Sequence, residues 1–356
     1  MNRSAERIGY AIVGLGELTV TQLLPAFRKT RFSRAVALVS ADRPRALAIA
    51  REHGIAERAV YDYAGFDRLA DNDEVQAVFI VLPNSLHAEF TLRAARCGKH
   101  VLCEKPMASS VADCELMIGA CAEAGLKLMI GYRCQYEPMN RYLAEQVRHG
   151  RLGALRDFSA YNGQVLRDPG QWRLKRELAG GGPLADIGIY CLNAARFISG
   201  EEPYEVIGST YATPDDPRFQ EVEESAQFIL RFPSGLVAHC GSGYSTQTSR
   251  LMRLSGSEAW AELNPAFGYD GLRLRFGHQE DGRDVVVEPA IPAADPFANE
   301  IDHLSRCILD DIEPHTPGEE GLQDMRIIDA IYASARSGTT VALNQPGRTR
   351  GPLPTL

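Results

Sequence analysis

The sequence predicts an α/β domain with a doubly wound parallel sheet, followed by an α+β domain with a large, mostly antiparallel, open-faced sheet. Six short apolar runs alternate with helical patterns over the first ~130 residues, the order typical of a parallel sheet with helices on both faces. Later strand-like runs follow one another with few helices, which favours antiparallel pairing. The length of 356 residues allows for about two domains. We expect these domains at residues 1–130 and 131–344, with a tail at 345–356.

The composition is that of a globular protein that does not bind nucleic acid. Hydrophobic residues make up 45% and charged residues 24% of the chain, and both shares are ordinary for a soluble domain. The net charge of −8 argues against nucleic acid as a partner. No apolar run approaches the ~18 residues that span a bilayer, so no membrane association is expected.

The cysteines and the N-terminus indicate a reducing cytoplasm. None of the spacings between the eight cysteines is typical of a zinc site, and we predict no metal. Most of the cysteines lie in apolar segments, where they are expected to be reduced and buried. The short apolar run after Arg7 does not read as a secretory leader. A periplasmic location would require a leader removed before residue 1.

The first strand, Ile8–Val13, ends in a glycine-rich turn at residues 14–19, and a helical pattern follows to Lys29. This context favours a pyrophosphate held by backbone N–H groups at a helix N-terminus. A plain tight turn is the alternative, because the short motif alone is weak. Thr19 replaces the third glycine and is expected to loosen the packing of helix on strand slightly. The predicted contacts are Gly14, Gly16, Glu17 and Leu18.

The second strand, residues 35–40, lacks the acidic residue that bonds the ribose 2′-hydroxyl of NAD. It ends instead in Ser40, and Arg43 and Arg45 follow shortly afterwards. A hydroxyl and guanidinium groups suit a 2′-phosphate, so the sequence favours NADP. Solvated arginines at a helix start are the alternative.

The fifth strand, which begins at His100, runs directly into Glu104, Lys105 and Pro106. Ligands of open parallel sheets lie beyond the carboxyl ends of the strands, so Glu104 and Lys105 are placed to meet a cofactor and a substrate. Pro106 ends the strand, and the isomer of its peptide bond stays open. A surface ion pair is the alternative. The other predicted strands of this domain are 59–61, 77–81 and 127–130, with a helix at 111–124.

The second domain is predicted from strand-like runs interrupted by few helices. A helix at 184–198 follows three glycines and a proline, and two late helices complete the domain. The residues from 345 are expected to be poorly ordered, because they are rich in Pro, Gly and Arg. The predicted strands are 155–162, 205–211, 225–232, 236–242, 251–255 and 259–263, and the other helices are 138–149, 296–310 and 318–335.

Asp186 and Tyr190 stand four residues apart on the predicted helix, which places them on one face. A tyrosine has a pKa near ~10 and is a poor base at neutral pH unless a cation stabilises its phenolate. Lys105 could be that cation, with Asp186 orienting the pair or binding a sugar hydroxyl. A core tyrosine and an aspartate at a helix start are the alternative. Arg133, Trp172 and Arg173 lie on loops that suit ligand contact or an interface.

Motifs along nearly the whole chain resemble the glucose–fructose and aldose–aldose oxidoreductases of the Gfo/Idh/MocA family, which also includes inositol dehydrogenase and rhizopine-catabolism proteins. The motifs lie at residues 14–16, 82–90, 103–108, 129–134, 171–174, 177–182, 186–190 and 317–321. The resemblance implies a Rossmann domain and tightly held NADP(H) that is recycled without release. It makes Lys105, Asp186 and Tyr190 the catalytic residues, with Tyr190 transferring the proton.

The resemblance also implies the residues that line the ligands. Besides the glycine turn, the cofactor would contact Ser40, Arg45, Tyr63, Leu82, Pro83, Asn84, His87, Glu104, Lys105, Arg133, Trp172 and Arg173. The sugar would contact Lys105, Arg133, Asp186, Tyr190 and Tyr269.

The function expected from this resemblance is a ping-pong reaction of two sugars. An aldose is oxidised at C1 to an aldonolactone, and a second aldose or a ketose is reduced to an alditol. One alternative is an NADP-dependent sugar or anhydrosugar dehydrogenase or reductase that releases its cofactor in each cycle. A non-catalytic regulator that senses sugar or dinucleotide is the alternative of another class. We expect a homodimer, with a tetramer possible; the donor and acceptor sugars stay open.

Overall fold

The computed structural model describes residues 7–347 and 349–353, and these divide into two compact units. Unit 1 comprises Met1–Arg133, Asp295–Leu322 and Arg348–Leu356, and unit 2 comprises Cys134–Ala294 and Gln323–Gly347. The predicted tail lies partly outside the described residues. No helix of the described residues is both long and apolar enough to cross a membrane.

Unit 1 contains a parallel sheet that has six strands within the described residues. Every neighbouring pair is parallel, and the order is β3-β2-β1-β4-β5-β6. All residues of β1 are buried, as expected for a strand with helices over both faces of its sheet. The doubly wound fold predicted from the sequence is thus confirmed. The strands are β1 Ile8–Val13, β2 Ser33–Val39, β3 Val60–Tyr61, β4 Ala77–Ile80, β5 His100–Glu104 and β6 Leu128–Gly131.

Two helices of unit 1, Arg43–His53 and Val111–Glu123, begin after side chains that accept backbone hydrogen bonds. Asp42 accepts from Arg45, and Ser110 accepts from Asp113. Such caps stabilise a helix by about 1 kcal/mol each. The bounds are Leu24–Phe27, Arg43–His53, His87–Arg96, Val111–Glu123 and Pro296–Leu309, with 3₁₀ turns at Glu57–Ala59, Phe66–Asp71 and Asn84–Leu86. The helix predicted after the glycine turn begins instead with a π-helical turn, Thr19–Leu23.

The segment Asp295–Leu322 belongs to unit 1, although its position in the chain suggested the second domain. The buried Tyr10 hydroxyl donates to the carbonyl oxygen of Ile301 (3.1 Å). The Thr316 hydroxyl donates to the carbonyl oxygen of Ile130 (2.8 Å). The predicted division could not include this return of the chain, because it depends on contacts between residues nearly 200 or 300 positions apart.

Residues 349–353 of the predicted tail pack against unit 1 instead of lacking order. Arg350 donates to the buried Glu320 carboxylate (2.9 Å), and the Gly351 N–H donates to the carbonyl oxygen of His315 (3.0 Å). These contacts pair polar groups of the tail with buried polar groups of unit 1.

Unit 2 contains a large sheet that has nine strands within the described residues. The order is β14-β13-β12-β11-β7-β10-β9-β8-β15, and every pair except β10–β7 is antiparallel. Alternate residues of β9 are buried and exposed, so one face is covered and the other is open. The strands are β7 Leu155–Val165, β8 Glu205–Tyr211, β9 Ser225–Arg231, β10 Val237–Gly243, β11 Ser245–Gly256, β12 Ala259–Leu263, β13 Leu274–Glu280, β14 Arg283–Val287 and β15 Val341–Ala342.

The mostly antiparallel α+β fold predicted for this region is confirmed, but β13, β14 and β15 were missed. The last two strands are short: β14 ends in three consecutive valines and β15 has only two residues, so neither shows the apolar alternation from which a strand is predicted. The helical segments of unit 2 are Pro138–Arg148, Arg176–Ala179 and Ile189–Ser199, with a π-helical turn at Leu184–Gly188 and a 3₁₀ turn at Trp172–Leu174. Two further segments, Arg133–Tyr136 and Gly318–Ser337, each contain residues of both units.

A buried polar network fixes the helix Ile189–Ser199. Arg196 is fully buried and donates to the fully buried carboxylate of Asp324. Its other guanidinium nitrogens donate to Glu202 (2.7 and 2.9 Å), while Asp324 also accepts from Asn193 (3.0 Å). Because a buried charge without its partner is costly, these groups stabilise the fold only as a set.

Replacing Asp324 with Asn should lower the free energy of unfolding by about 3 kcal/mol, because it leaves part of the buried Arg196 charge uncompensated. Urea unfolding followed by circular dichroism measures the change. The matched control is Glu57→Gln, which breaks an exposed pair with Arg51 (3.0 Å) and should cost less than about 1 kcal/mol. Equal losses in the two variants would contradict the assignment.

Candidate functional site

The glycine turn after β1 leaves open space at the carboxyl edge of the parallel sheet. Gly14 has φ +98°, and a Cβ there would lie 2.2 Å from the carbonyl oxygen of Val81, so only glycine fits. Gly16 is exposed, and a Cβ there would meet nothing within 4 Å. Glu17 is exposed and Leu18 half-buried beside it. A pyrophosphate therefore has room to approach the backbone.

Thr19, in the place of the third glycine, has a specific contact. Its side chain is fully buried, and its hydroxyl donates to the carbonyl oxygen of Gly14 (2.7 Å). The hydroxyl thus ties the first turn of the helix to the glycine loop, while the local helix widens into a π-turn.

The end of β2 has the groups expected around a 2′-phosphate. Ser40 is buried there, and Arg45 is exposed on the first turn of the following helix. The Asp42 carboxylate accepts from the Arg45 N–H (3.0 Å), so it caps this helix. Arg43 serves differently, because its guanidinium donates to the carbonyl oxygen of Val60 (2.9 Å). The fit to a phosphate therefore depends on Ser40 and Arg45.

His87 joins the loops that follow β4 and β5. It is fully buried, with Nε2 2.9 Å from the carbonyl oxygen of Leu82 and Nδ1 3.0 Å from that of Pro106. Burial lowers the pKa of His87. Because its two ring nitrogens contact carbonyl oxygens of both loops, the imidazole links the backbone of one loop to that of the other. Around it, Leu82 and Asn84 are buried and Pro83 is half-buried.

Lys105 follows β5 directly and is half-buried at the carboxyl edge of the sheet. The backbone N–H of Lys105 donates to the buried carboxylate of Glu104 (3.3 Å), and the peptide bond between Lys105 and Pro106 is cis. A Cβ on Gly131 would lie 3.3 Å from the same carboxylate, so Glu104 packs on the end of β6. The guanidinium carbon of Arg133 lies 5.8 Å from the centre of the Phe297 ring.

Tyr63 follows β3 and thus lies at the carboxyl edge of the parallel sheet in unit 1. It is half-buried, and its ring centre lies 5.4 Å from that of Phe90. Burial raises the pKa of Tyr63, so its hydroxyl stays protonated and can donate a hydrogen bond.

Within unit 2, Asp186 lies on the π-helical turn Leu184–Gly188, and one oxygen of its carboxylate accepts two hydrogen bonds. Arg173 Nε donates to Oδ2 over 3.1 Å, and the Tyr244 hydroxyl donates to the same atom over 2.8 Å. Arg173 also lies over the Trp172 ring, 4.6 Å from its centre. The pKa of Arg173 is raised, chiefly by the charge of Asp186.

Tyr190 lies four residues after Asp186 and is the second residue of the α-helix Ile189–Ser199. Its ring centre lies 5.9 Å from that of Phe267, a residue with φ +53°. Tyr269 is 49% exposed, and its charge is a minor cause of the raised pKa of Arg173. Phe267 beside Tyr190 and Trp172 beside Arg173 are aromatic groups of a kind that suits a sugar.

The turn before Asp186 is held by Glu223, a residue that sequence reasoning missed. The Gly182 N–H donates to both carboxylate oxygens (3.1 and 3.0 Å), and the Leu184 N–H donates to one (3.1 Å). Tyr332 adds a hydroxyl donor (2.8 Å). Burial raises the pKa of Glu223, while these donors favour its ionised form.

The predicted site residues thus form two groups, each defined within its own unit. Their roles as ligand contacts stay predictions. Unit 1 contributes Gly14, Gly16, Glu17, Leu18, Ser40, Arg45, Tyr63, Leu82, Pro83, Asn84, His87, Glu104, Lys105 and Arg133, and unit 2 contributes Trp172, Arg173, Asp186, Tyr190 and Tyr269. Tyr244 was missed, although a polar aromatic residue directly after a strand could have marked it. The described residues contain no cluster of three or more His, Cys, Asp or Glu that could hold a metal ion.

Comparison with known proteins identifies the family. Residues 8–132 match the oxidoreductase family with an NAD-binding Rossmann fold, and residues 140–262 match the GFO/IDH/MocA C-terminal domain. The D-xylose 1-dehydrogenase [NADP(+)] of Haloarcula marismortui is 32% identical over 95% of this chain and 93% of that protein. The chain belongs to the GFO/IDH/MocA oxidoreductase family.

Two solved structures resemble more than nine-tenths of the chain. The aldose-aldose oxidoreductase from Caulobacter crescentus, in complex with glycerol, is 47% identical, with a TM-score of 0.91 over 95% of this chain and 100% of that one. The 3-ketoreductase KijD10 from Actinomadura kijaniata, in complex with NADP and TDP-benzene, is 25% identical, with a TM-score of 0.81 over 92% and 98%. The predicted family, the Rossmann fold and an oxidoreductase activity are confirmed.

Glu300 is a buried acid next to the cofactor edge of unit 1 that sequence reasoning missed. It is fully buried, and neither carboxylate oxygen has a hydrogen-bond partner among the described residues. Burial, reinforced by the charge of Glu104, raises the pKa of Glu300 well above its ordinary range, and Arg133 opposes this only in part. The neutral acid is therefore the form that the fold favours.

Replacing Glu300 with Gln should raise the free energy of unfolding at neutral pH. Because the folded pKa lies above the unfolded one, the unfolded chain loses its proton first as pH rises. Stability then falls by about 1.4 kcal/mol for each pH unit over which only the unfolded chain is ionised. The gain should thus shrink towards zero near pH 4, as measured by urea unfolding across pH. Glu319→Gln, at an exposed position, is the control, and a gain independent of pH would contradict a neutral Glu300.

Proposed function

We propose that this chain is an NADP-dependent sugar oxidoreductase with a retained cofactor. It oxidises an aldose at C1 to an aldonolactone and reduces a second sugar, an aldose or a ketose, to an alditol. The observation that supports this most is the likeness along the full chain to the aldose-aldose oxidoreductase. The presence of Lys105, Asp186 and Tyr190 supports it further.

NADP rather than NAD is supported by the end of β2. Ser40 and the exposed Arg45 offer a hydroxyl and a planar cation, and Asp42, the acid that follows β2 in the chain, is engaged as a helix cap. Two relatives agree, since the D-xylose 1-dehydrogenase is named as an NADP(+) enzyme and the 3-ketoreductase structure is a complex with NADP.

Proton transfer by Tyr190 is the central step of the proposed chemistry. In the oxidative half-reaction Tyr190 takes the proton of the C1 hydroxyl, while Lys105 stabilises the developing negative charge. Asp186 accepts a hydrogen bond from a sugar hydroxyl and so orients the ring. When bound, the nicotinamide supplies hydride acceptance at C1 and hydride return to the second sugar. In the reductive half-reaction Tyr190 gives its proton to the carbonyl oxygen, which completes the alditol.

A dehydrogenase that releases its cofactor in each cycle is the second candidate. The likeness to the D-xylose 1-dehydrogenases of Haloarcula marismortui and Haloferax volcanii favours it, because both proteins are named as dehydrogenases of one sugar with NADP(+). A non-catalytic regulator is disfavoured, since Lys105, Asp186 and Tyr190 are all present.

We further propose that the chain pairs with a second copy through the open face of the sheet in unit 2. Ile207 and Tyr211 of β8 are 38% and 60% exposed, and they lie four positions apart on one strand, so their side chains are on the same face of the sheet. An exposed apolar sheet face of this kind is typical of an interface.

Replacing Tyr190 with Phe should leave NADP(H) bound but reduce turnover of an aldose by about 10²–10⁴-fold, because the proton then has no acceptor. Steady-state assays and the absorbance of bound cofactor measure the two effects. Adding Lys105→Met to this variant should cause little further loss, since both residues serve one proton transfer.

The control for this pair is Tyr204→Phe, which removes the hydroxyl of an exposed tyrosine in the same unit. Its turnover should equal that of the wild type. Near-normal turnover in Tyr190→Phe, or fully additive losses in the double variant, would rule out the roles assigned to these residues.

The retained cofactor predicts turnover without added NADP. The purified protein should absorb in the nicotinamide band, and incubation with one aldose at a time should give aldonolactone and alditol in equal amounts. The half-reactions are coupled, so every lactone formed requires one alditol. A protein that forms lactone only with stoichiometric NADP, and no alditol, would be the cofactor-releasing dehydrogenase instead.

A further inference from the structure

Tyr244 is a buried tyrosine that the proposed chemistry does not use. It follows β10 directly, is fully buried, and packs its ring in an apolar cluster with Leu174, Ile187, Phe219 and Val222. Its hydroxyl lies at the edge of that cluster, 2.8 Å from Asp186 Oδ2. The ring of Tyr244 therefore packs among apolar side chains, and its hydroxyl donates a hydrogen bond to the Asp186 carboxylate.

Two donors of different kinds meet at one oxygen of Asp186. Tyr244 approaches from the apolar cluster, while Arg173 approaches over 3.1 Å from the 3₁₀ turn Trp172–Leu174. Two hydrogen bonds from separate elements restrict the rotation of a carboxylate far more than one does. The Asp186 side chain is still 15% exposed, so the carboxylate held in this way reaches a surface where a ligand can contact it.

The Tyr244 hydroxyl remains a donor over the whole range in which the protein would work. Burial, and then the charge of Asp186, raises the pKa of Tyr244 well above its ordinary range. The phenol therefore does not ionise beside the carboxylate, and the direction of the hydrogen bond is set.

We propose that Tyr244 is a positioning residue for sugar recognition. It orients the Asp186 carboxylate so that this group accepts a hydrogen bond from one particular hydroxyl of the aldose. The assignment rests on the proposed function, since it takes Asp186 to be a sugar contact. Tyr244 lies on the covered side of the sheet and touches no substrate itself. By orienting Asp186, it determines which hydroxyl of the sugar is recognised.

A purely structural role makes a different prediction. If Asp186 served only to satisfy a buried phenol, loss of the Tyr244 hydroxyl would affect every substrate equally. If Tyr244 orients Asp186, the loss should fall on the hydroxyl that Asp186 contacts. Recognition of a hydroxyl by a well-placed polar group is lost when that group moves, because the hydrogen bond is directional.

The test is Tyr244→Phe, assayed with an aldose and with each of its monodeoxy analogues. The wild type should lose most activity when one particular hydroxyl is missing. In Tyr244→Phe, kcat/KM for the complete aldose should fall about tenfold, mainly through KM. The penalty for lacking that one hydroxyl should shrink by a similar factor. Adding Tyr244→Phe to Asp186→Asn should have little further effect on kcat/KM.

The matched control is Tyr10→Phe, which also removes a fully buried hydroxyl that donates a hydrogen bond, to Ile301 in unit 1. It should leave the pattern among the deoxy sugars unchanged. Thermal unfolding and bound cofactor establish that each variant is folded.

The outcomes separate the inference from the proposed function. A wild type that turns over no aldose would overturn the proposed function and this inference together. An active wild type with an equal loss for every sugar in Tyr244→Phe would overturn the inference alone. A Tyr244→Phe protein that does not fold would also overturn it, since the hydroxyl would then be needed for the fold rather than for recognition.

Discussion

The buried carboxylate of Glu223 accepts hydrogen bonds at the start of the helical segment that contains the candidate catalytic residues of unit 2. These hydrogen bonds fix where that segment begins. The first N–H groups of a helix have no partner within it, and here Glu223 accepts those of Gly182 and Leu184. Gly182 must be glycine, because a Cβ would lie 2.4 Å from the carbonyl oxygen of Glu223. The π-helical turn that follows contains Asp186, and Tyr190 comes directly after it. The other two glycines of this run have their own reasons, since Gly180 has φ +75° and a Cβ on Gly181 would lie 2.2 Å from the Tyr332 hydroxyl.

In unit 1, the candidate site residues are positioned by the loops at the carboxyl edge of the parallel sheet. Parallel strands bring their carboxyl ends to one edge, and the loops there must leave room for a ligand while satisfying their own polar groups. His87 contributes to this, because its two ring nitrogens lie next to the carbonyl oxygens of Leu82 and Pro106 and the single N–H of the neutral ring donates to one of them. One imidazole thus contacts the loops after two strands. Lys105 lies directly before Pro106, and its position therefore depends on a buried ring as well as on β5.

The sequence was informative wherever the signal is local. Continuous apolar runs predicted the six parallel strands, and the residues at their ends predicted the cofactor edge. It failed where a partner is distant in the chain: nothing near Tyr244 indicates that it meets Asp186, 58 positions earlier, and nothing near Glu300 indicates its burial beside Glu104. The exposed strand β14 was missed for another reason, since its apolar residues are three consecutive valines, a run that shows no alternation and is too short to predict a strand by itself.

The surroundings of three acidic side chains show why only one of them suits sugar binding. Glu300 is buried without donors, so the fold favours its neutral form. Glu223 is buried too, and its donors from Gly182, Leu184 and Tyr332 already occupy it. Asp186 has a cation and a phenol on one oxygen and remains partly exposed. A sugar hydroxyl needs an acceptor that is charged, oriented and reachable, and within this set Asp186 alone meets all three requirements.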